Sequence, residues 1–277
     1  MQLNLKKLIG NSNVWLYKDK MYTDRLEMKS KYHTDKCLLF TVEQFSMFND
    51  ETEIKGSTAI IRSKRTKLEI PGQVIDNPIF PDFSGEDFKV DLSWISEFNP
   101  SSKEFFIGET FCATPSTNCI TYIKQKNKKT AVISAEFIDV CKQVEKFKIL
   151  KGQSSISLIA KDFKMLFPAI SSDISFASIE SILSNEEAVG SVLVPDETMR
   201  AISKLPSKTE QIRFIDNKAV VQSTTMMFSG EVKTKGTVDA TVLLAFLETS
   251  MPKFLVTNNA IKYKLTDKIY RIIPLAG

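Results

Sequence analysis

Apolar side chains in this chain recur mostly at every second position, in short runs closed by polar turns. The runs are rich in Val, Ile, Phe, Tyr and Thr and are bounded by Asn, Asp, Gly and Lys, the pattern of short β-strands. Asn13–Tyr17, Thr58–Arg62, Cys119–Ile123, Thr130–Ile133 and Ala219–Gln222 read this way. Between them lie short stretches with helical spacing: Asn4–Gly10, Thr41–Asp50, Asp91–Phe98, Lys161–Ile170, Asp196–Leu205 and Asp239–Glu248. Thr41, Asp91, Asp196 and Asp239 stand where an N-cap is expected. Each predicted helix has only about two to three turns, too few for stability alone, so each must lie on an apolar surface such as a sheet.

These elements recur in one order: a short strand, a short helix, then two or three strands. Lys36–Phe40 leads into Thr41–Phe48, then strands near Ile54, Ala59–Arg62 and Thr66–Ile70. Ser191–Val194 leads into Pro195–Leu205, then Gln211–Ile215, Ala219–Thr224 and Met227–Val232. Lys235–Val238 leads into Asp239–Leu247, then Phe254–Val256, Ala260–Leu265 and Ile269–Pro274. Units of about 45 residues repeated along a chain imply internal symmetry. Paired units give an α+β protein with helices on one face of antiparallel sheets. The expected domains are 1–80, 81–187 and 188–277; the alternative is two larger domains split near residue 150.

Composition narrows the chemistry. Hydrophobic residues make up 43% and charged residues 25%, which is ordinary for a globular protein. No apolar run is long enough to span a bilayer, and Met1–Lys7 lacks the apolar core of a signal peptide, so a cytoplasmic protein is expected. Cys37, Cys112, Cys119 and Cys141 form no Cys-x-x-Cys pair, which predicts buried reduced thiols and no zinc site. The one histidine, His33, lies in the polar stretch Lys31–Lys36 and is expected in an exposed turn. Asp82, Glu86 and Asp87 share a turn without metal-ligand spacing. No P-loop, dinucleotide fingerprint or nucleophile elbow is present, so neither enzyme, cofactor nor metal is expected. A net charge of +4 is too small to establish nucleic-acid binding by itself.

Several stretches resemble the sliding clamp family, the beta subunit of bacterial replicative DNA polymerase. Ser63–Pro71, followed by the turn Ile79-Phe80-Pro81, resembles the close of a clamp's first domain. Phe88–Ile95 resembles the strand and helix that open the second. Asn118–Ile123, the basic turn Lys124–Lys129 and Thr130–Ile138 are similar in pattern to a clamp hairpin. Phe228–Gly230, Thr237–Leu247 and the ending Ile269–Leu275 resemble the last half-domain, which in that family closes on a Tyr-Val-Val-Met-Pro-Met type strand. Two departures stand out. The family's Thr-Asp-Gly-His-Arg-Leu motif is replaced by Ile133-Ser134-Ala135-Glu136-Phe137-Ile138, and the chain is shorter than three-domain clamps.

The resemblance implies the DNA-clamp fold and a non-catalytic role: a homodimeric or homotrimeric ring around double-stranded DNA that tethers a polymerase. Helices would line the hole and sheets form the shell. Lys6, Lys7, Lys161, Lys164, Arg200 and Lys204 are then the candidate phosphate contacts; each pair could equally be a solvated helix face. It also implies a pocket for short apolar peptides of the polymerase and clamp loader. The matching residues are Ile133, Ala135, Phe137 and Ile138 with Ile272, Ile273, Pro274 and Leu275, all of which could equally be strand core. A β-rich structural protein, such as a phage assembly component, would share the strands without needing basic helices at regular spacing.

Overall fold

The computed structural model describes residues 12–63, 66–116 and 119–184, and beyond these the segments 190–193, 211–215, 218–221, 224–227, 236–239, 253–257 and 260–274. It divides into two compact units, residues 1–89 with 139–169, and 90–138 with 170–277.

The first unit is built on a seven-stranded antiparallel sheet. Its strands are β1 (Val14–Tyr22), β2 (Leu26–Phe40), β6 (Gln73–Ile75), β7 (Glu86–Asp87), β12 (Phe147–Lys151), β13 (Ser155–Ala160) and β14 (Phe163–Pro168), in the order β1-β2-β14-β13-β12-β7 with β6 also on β2. A smaller sheet joins β3 (Glu53–Lys55), β4 (Thr58–Ser63) and β5 (Thr66–Pro71). The β1–β2 pairing slips at Lys18, which holds φ at 53°, so Lys18, Asp19 and Lys20 form an exposed irregularity. The predicted helix at Thr41 is present as Val42–Ser46. Thr41 Oγ1 accepts the Gln44 N–H at 3.2 Å and Gln44 Oε1 accepts the Thr41 N–H at 2.9 Å, a reciprocal cap.

Two expectations fail in this unit. Lys161–Ile170 is not a helix but the turn into β14, where Phe163, Met165 and Phe167 are buried alternately with Lys164 and Leu166. That alternation is a strand's period of two, and pairing with β13 and β2 satisfies it. His33 is exposed as expected, yet it lies within β2 rather than in a turn, 2.7 Å from Asp19.

The second unit carries an eight-stranded antiparallel sheet. Its strands are β8 (Glu104–Ile107), β9 (Phe111–Pro115), β10 (Ile120–Lys124), β11 (Ala131–Ser134), β15 (Gly190–Leu193), β20 (Lys253–Val256), β21 (Ala260–Lys264) and β22 (Ile269–Pro274), ordered β11-β8-β9-β10-β22-β21-β20-β15. A four-stranded sheet has the order β18 (Thr224–Met227), β17 (Lys218–Val221), β16 (Gln211–Ile215), β19 (Gly236–Asp239). The strand expectations at Gln211–Ile215 and Ile269–Pro274 match residue for residue.

One face of the eight-stranded sheet is closed by the helix Phe176–Ser184, whose Ile179 and Leu183 join Phe106, Ala113, Tyr122 and Ile272 in one core cluster. Sequence reading missed this helix, although Ser175 Oγ caps it by accepting the Ser178 N–H at 3.0 Å and its apolar residues fall four apart. The opposite face carries Trp94, Phe98, Phe105 and Phe137 in edge and stacked contacts. Asp91–Phe98, predicted helical, instead forms successive i→i+3 turns, which bring both Trp94 and Phe98 into the core. The strand pattern expected over Thr130–Ile138 gives way at Glu136 to a helix, Glu136–Cys141, whose apolar residues continue those of β11 without a break. Asn4–Gly10, Asp196–Leu205 and all of Asp239–Glu248 but its first residue lie outside the described residues. Among the described residues no helix is long and apolar enough to cross a membrane.

Candidate functional site

The two C-terminal strands and β10 form a seam whose side chains sort strictly by face. Ile120 pairs with Ile272 and Tyr122 with Tyr270 on the helix-covered face; Thr121 pairs with Arg271 and Ile123 with Ile269 on the other. Arg271 lies half-buried and is held by two donations, Nε to Thr121 Oγ1 at 3.1 Å and Nη1 to the Tyr263 hydroxyl at 3.3 Å. Lys262, buried, places its Nζ 4.7 Å from the ring centre of Tyr270 and 5.4 Å from that of Tyr122. Facing aromatic rings make burial of that cation tolerable. Sequence reading found neither arrangement, because a lysine in alternation with Ile261 and Tyr263 reads as solvent-facing.

β22 is described as far as Pro274, which is exposed and has no N–H to donate to a ladder, while Leu275 lies outside the described residues. The rest of the expected peptide pocket is covered. Ile133, Ala135, Phe137, Ile138, Ile272 and Ile273 are all buried, and Phe137 stacks on Phe105 with ring centres 6.0 Å apart. Strand alternation turns Ile272 toward the helix Phe176–Ser184 and Ile273 away from it, so consecutive residues cannot line one pocket together. Three strands also intervene between β11 and β22, which puts about 19 Å between them at about 4.8 Å per strand. The neighbours of the C-terminal strand are instead β10, which sets Ile120 against Ile272, and β21.

Of the candidate phosphate contacts, Lys161 is exposed in the β13–β14 turn and Lys164 lies on β14. They do not share a helix face. Lys164 Nζ is 3.0 Å from Glu27 Oε1, which Lys20 also reaches at 2.7 Å, and it lies 5.7 Å from the Phe83 ring centre. Burial raises the Glu27 carboxyl, but hydrogen bonds and charge from the two lysines outweigh it and hold the group below its ordinary range. Lys6, Lys7, Arg200 and Lys204 lie outside the described residues.

Two surface grooves flank these features. One of about 620 Å³ in the second unit is lined by Ser93, Trp94, Glu97 and the β21–β22 turn 264–268. The other, about 380 Å³ and mostly apolar, is lined in the first unit by Met21, Met28, Tyr32, Phe45 and Phe48. No cluster of three or more metal-ligating side chains occurs among the described residues. Cys37, Cys112 and Cys141 are buried and Cys119 half-buried, all unbridged.

Solved structures similar to this chain decide what the architecture is. It matches the Pseudomonas aeruginosa DNA polymerase III subunit beta at TM-score 0.67 and 8% identity, covering 100% of this chain and 94% of that one. The Thermotoga maritima beta subunit matches at 0.66 and 11%, over 100% and 94%. The Helicobacter pylori beta clamp bound to a DNA ligase peptide matches at 0.64 and 14%, over 96% and 91%. The chain has the DNA-clamp fold. It holds that clamp fold at 8–14% identity to these structures, and no protein-family model and no curated protein matches the chain.

Proposed function

We propose that the chain is a sliding clamp, a DNA polymerase processivity factor that encircles duplex DNA and does no chemistry itself. The carrying observation is that beta clamps from three bacteria match the chain over 96–100% of its length despite 8–14% identity. A closed ring raises the local concentration of a tethered polymerase through topology alone. The protomer is read as three domains, 1–80, 81–187 and 188–277. On this reading the pairings of β2 with β14 and of β10 with β22 run between consecutive domains. Two such protomers close the ring, three being the alternative, and closure removes the open sheet edges of an isolated protomer.

The inner wall is assigned to Lys6, Lys7, Lys161, Lys164, Arg200 and Lys204. Lys161 and Lys164 are the weakest of these, because they stand on a sheet's turn and strand rather than on a helix and Glu27 already compensates the charge of Lys164. Polymerase and loader peptides are assigned to the end of β22, at the exposed Pro274 and the Leu275 that follows it in the chain, with Ile272 and Ile273 buried behind them. The other four residues of the sequence-based pocket, Ile133, Ala135, Phe137 and Ile138, are read as core. The peptide-bound Helicobacter pylori clamp supports a peptide partner. The test is retention on nicked circular DNA, followed by linearisation, with particle images and light scattering. A ring that stays on circles and leaves linear DNA is expected; a monomer across the micromolar range, with no topological retention, overturns the reading.

A further inference from the structure

The basic turn after β10 is built more rigidly than a solvated loop requires. From Lys124 to Lys128 its side chains alternate: Lys124, Lys126 and Lys128 are exposed, while Gln125 and Asn127 are half-buried. Both amides are fixed. Gln125 Oε1 accepts the Trp94 indole N–H at 2.8 Å, and Gln125 Nε2 donates to Asn127 Oδ1 at 2.7 Å. Asn127 Nδ2 donates to the carbonyls of Gly108 at 2.7 Å and Phe111 at 3.2 Å. The backbone is pinned as well, with the Gln125 N–H on Thr110 O at 2.9 Å and the Asn127 N–H on Glu109 O at 2.8 Å. Gly108 is required at that anchor, since a Cβ there would stand 2.6 Å from the Phe111 ring. The turn is therefore a fixed comb of lysines, with every second side chain exposed.

We propose that Lys126 and Lys128, with Lys124 beside them, form a preorganised contact for the phosphodiester backbone of nucleic acid. Among the described residues neither Lys126 nor Lys128 is in an ion pair. The carboxylates on the elements packed against the turn are Glu109 on the hairpin, Asp91 and Glu97 on the Trp94 segment, and Glu180, which accepts the Thr110 hydroxyl at 2.8 Å; none of them pairs with Lys126 or Lys128 among the described residues. Point cations repeated along a line suit a polymer with one charge per repeat. With both amides turned inward, nothing in the comb reads a base, so the contact is independent of sequence. A membrane surface fits less well, because residues 124–129 carry no apolar side chain to insert beside the lysines. The contact adds a place where nucleic acid touches this chain, and it does not require a ring.

The test is equilibrium binding of the full chain to a short linear duplex and to oligo-dT of equal length at several salt concentrations. Vesicles of anionic lipid form a separate arm. Lys126→Gln/Lys128→Gln should weaken binding to at least one nucleic acid about tenfold at low salt, and lower the slope of log affinity against log salt by about 1.4–1.8. Whether duplex or single strand responds tells which backbone the comb holds. Asn127→Ala, which keeps both lysines but releases the comb, should lose affinity while retaining most of the slope. Unchanged affinity and slope in the double variant overturns the proposal, as does lysine-dependent vesicle binding without nucleic-acid binding. Loss of topological retention with lysine-dependent binding intact would count against the ring alone.

Discussion

In the eight-stranded sheet, β8, β9 and β10 are buried almost throughout, and neighbouring side chains are covered whichever way they point. In the seven-stranded sheet, β14 alternates buried with half-exposed residues, and β1 carries Lys18, Asp19 and Lys20 in the open. The first sheet is covered by a helix on one face and an aromatic layer on the other. The second is stitched by Glu27 of β2, which bonds Lys164 across the β2–β14 joint and Lys20 across the β1–β2 joint. The same antiparallel ladder is thus stabilised mainly by apolar burial in one case and by alternation with polar anchoring in the other. Mutations should separate the two.

The largest effect is expected at Phe137. If the aromatic face is true core, Phe137→Ala lowers unfolding stability by about 3–5 kcal/mol in urea melts. A loss below about 1 kcal/mol, with altered peptide binding, would return Phe137 to a binding surface. A smaller effect belongs to the polar joint. Glu27→Gln should cost about 1 kcal/mol or less at pH 7, since its lysine partners are partly exposed. Because the folded carboxyl titrates below its ordinary value of 4.5, this contribution is present above that pH and fades as pH falls through the folded value. The variant and the parent should therefore converge in acid; a gap that widens there would contradict the assignment. The smallest effect is chemical. Burial pushes the Cys112 thiol up to about 12 and raises Cys141 as well, so brief alkylation of the folded chain should label Cys119 first. Mass spectrometry of the labelled peptides reads this directly.

The contrast also explains what was legible in the sequence. Strands bounded by turn residues, such as Gln211–Ile215 and Ile269–Pro274, stand where the alternation put them. The capped helix after Thr41 was equally readable, because its capping residues are local. Lys161–Ile170 misled because Lys161 with Lys164, and Phe163 with Phe167 and Ile170, also fit a period near 3.6, and only pairing with β13 and β2 resolves the choice. Of the candidate site, the strand carrying Ile272, Ile273 and Pro274 was readable, because its alternation and bounding turn are local. Its grouping was not: which strands separate β11 from β22 depends on pairings between distant segments, and no local pattern encodes them.

The β10–β22 seam bears on how the molecule comes into being. Thr121 and Arg271, bonded across it, are 150 residues apart in the chain. At a synthesis rate of about 5–20 residues per second, β10 waits roughly 8–30 s for its partner. During that interval an edge reading Ile-Thr-Tyr-Ile, nearly all of it destined for the interior, is open to any other strand that can pair with it. Closure is a late, long-range step, and the nascent chain must be kept apart from its neighbours until β22 arrives.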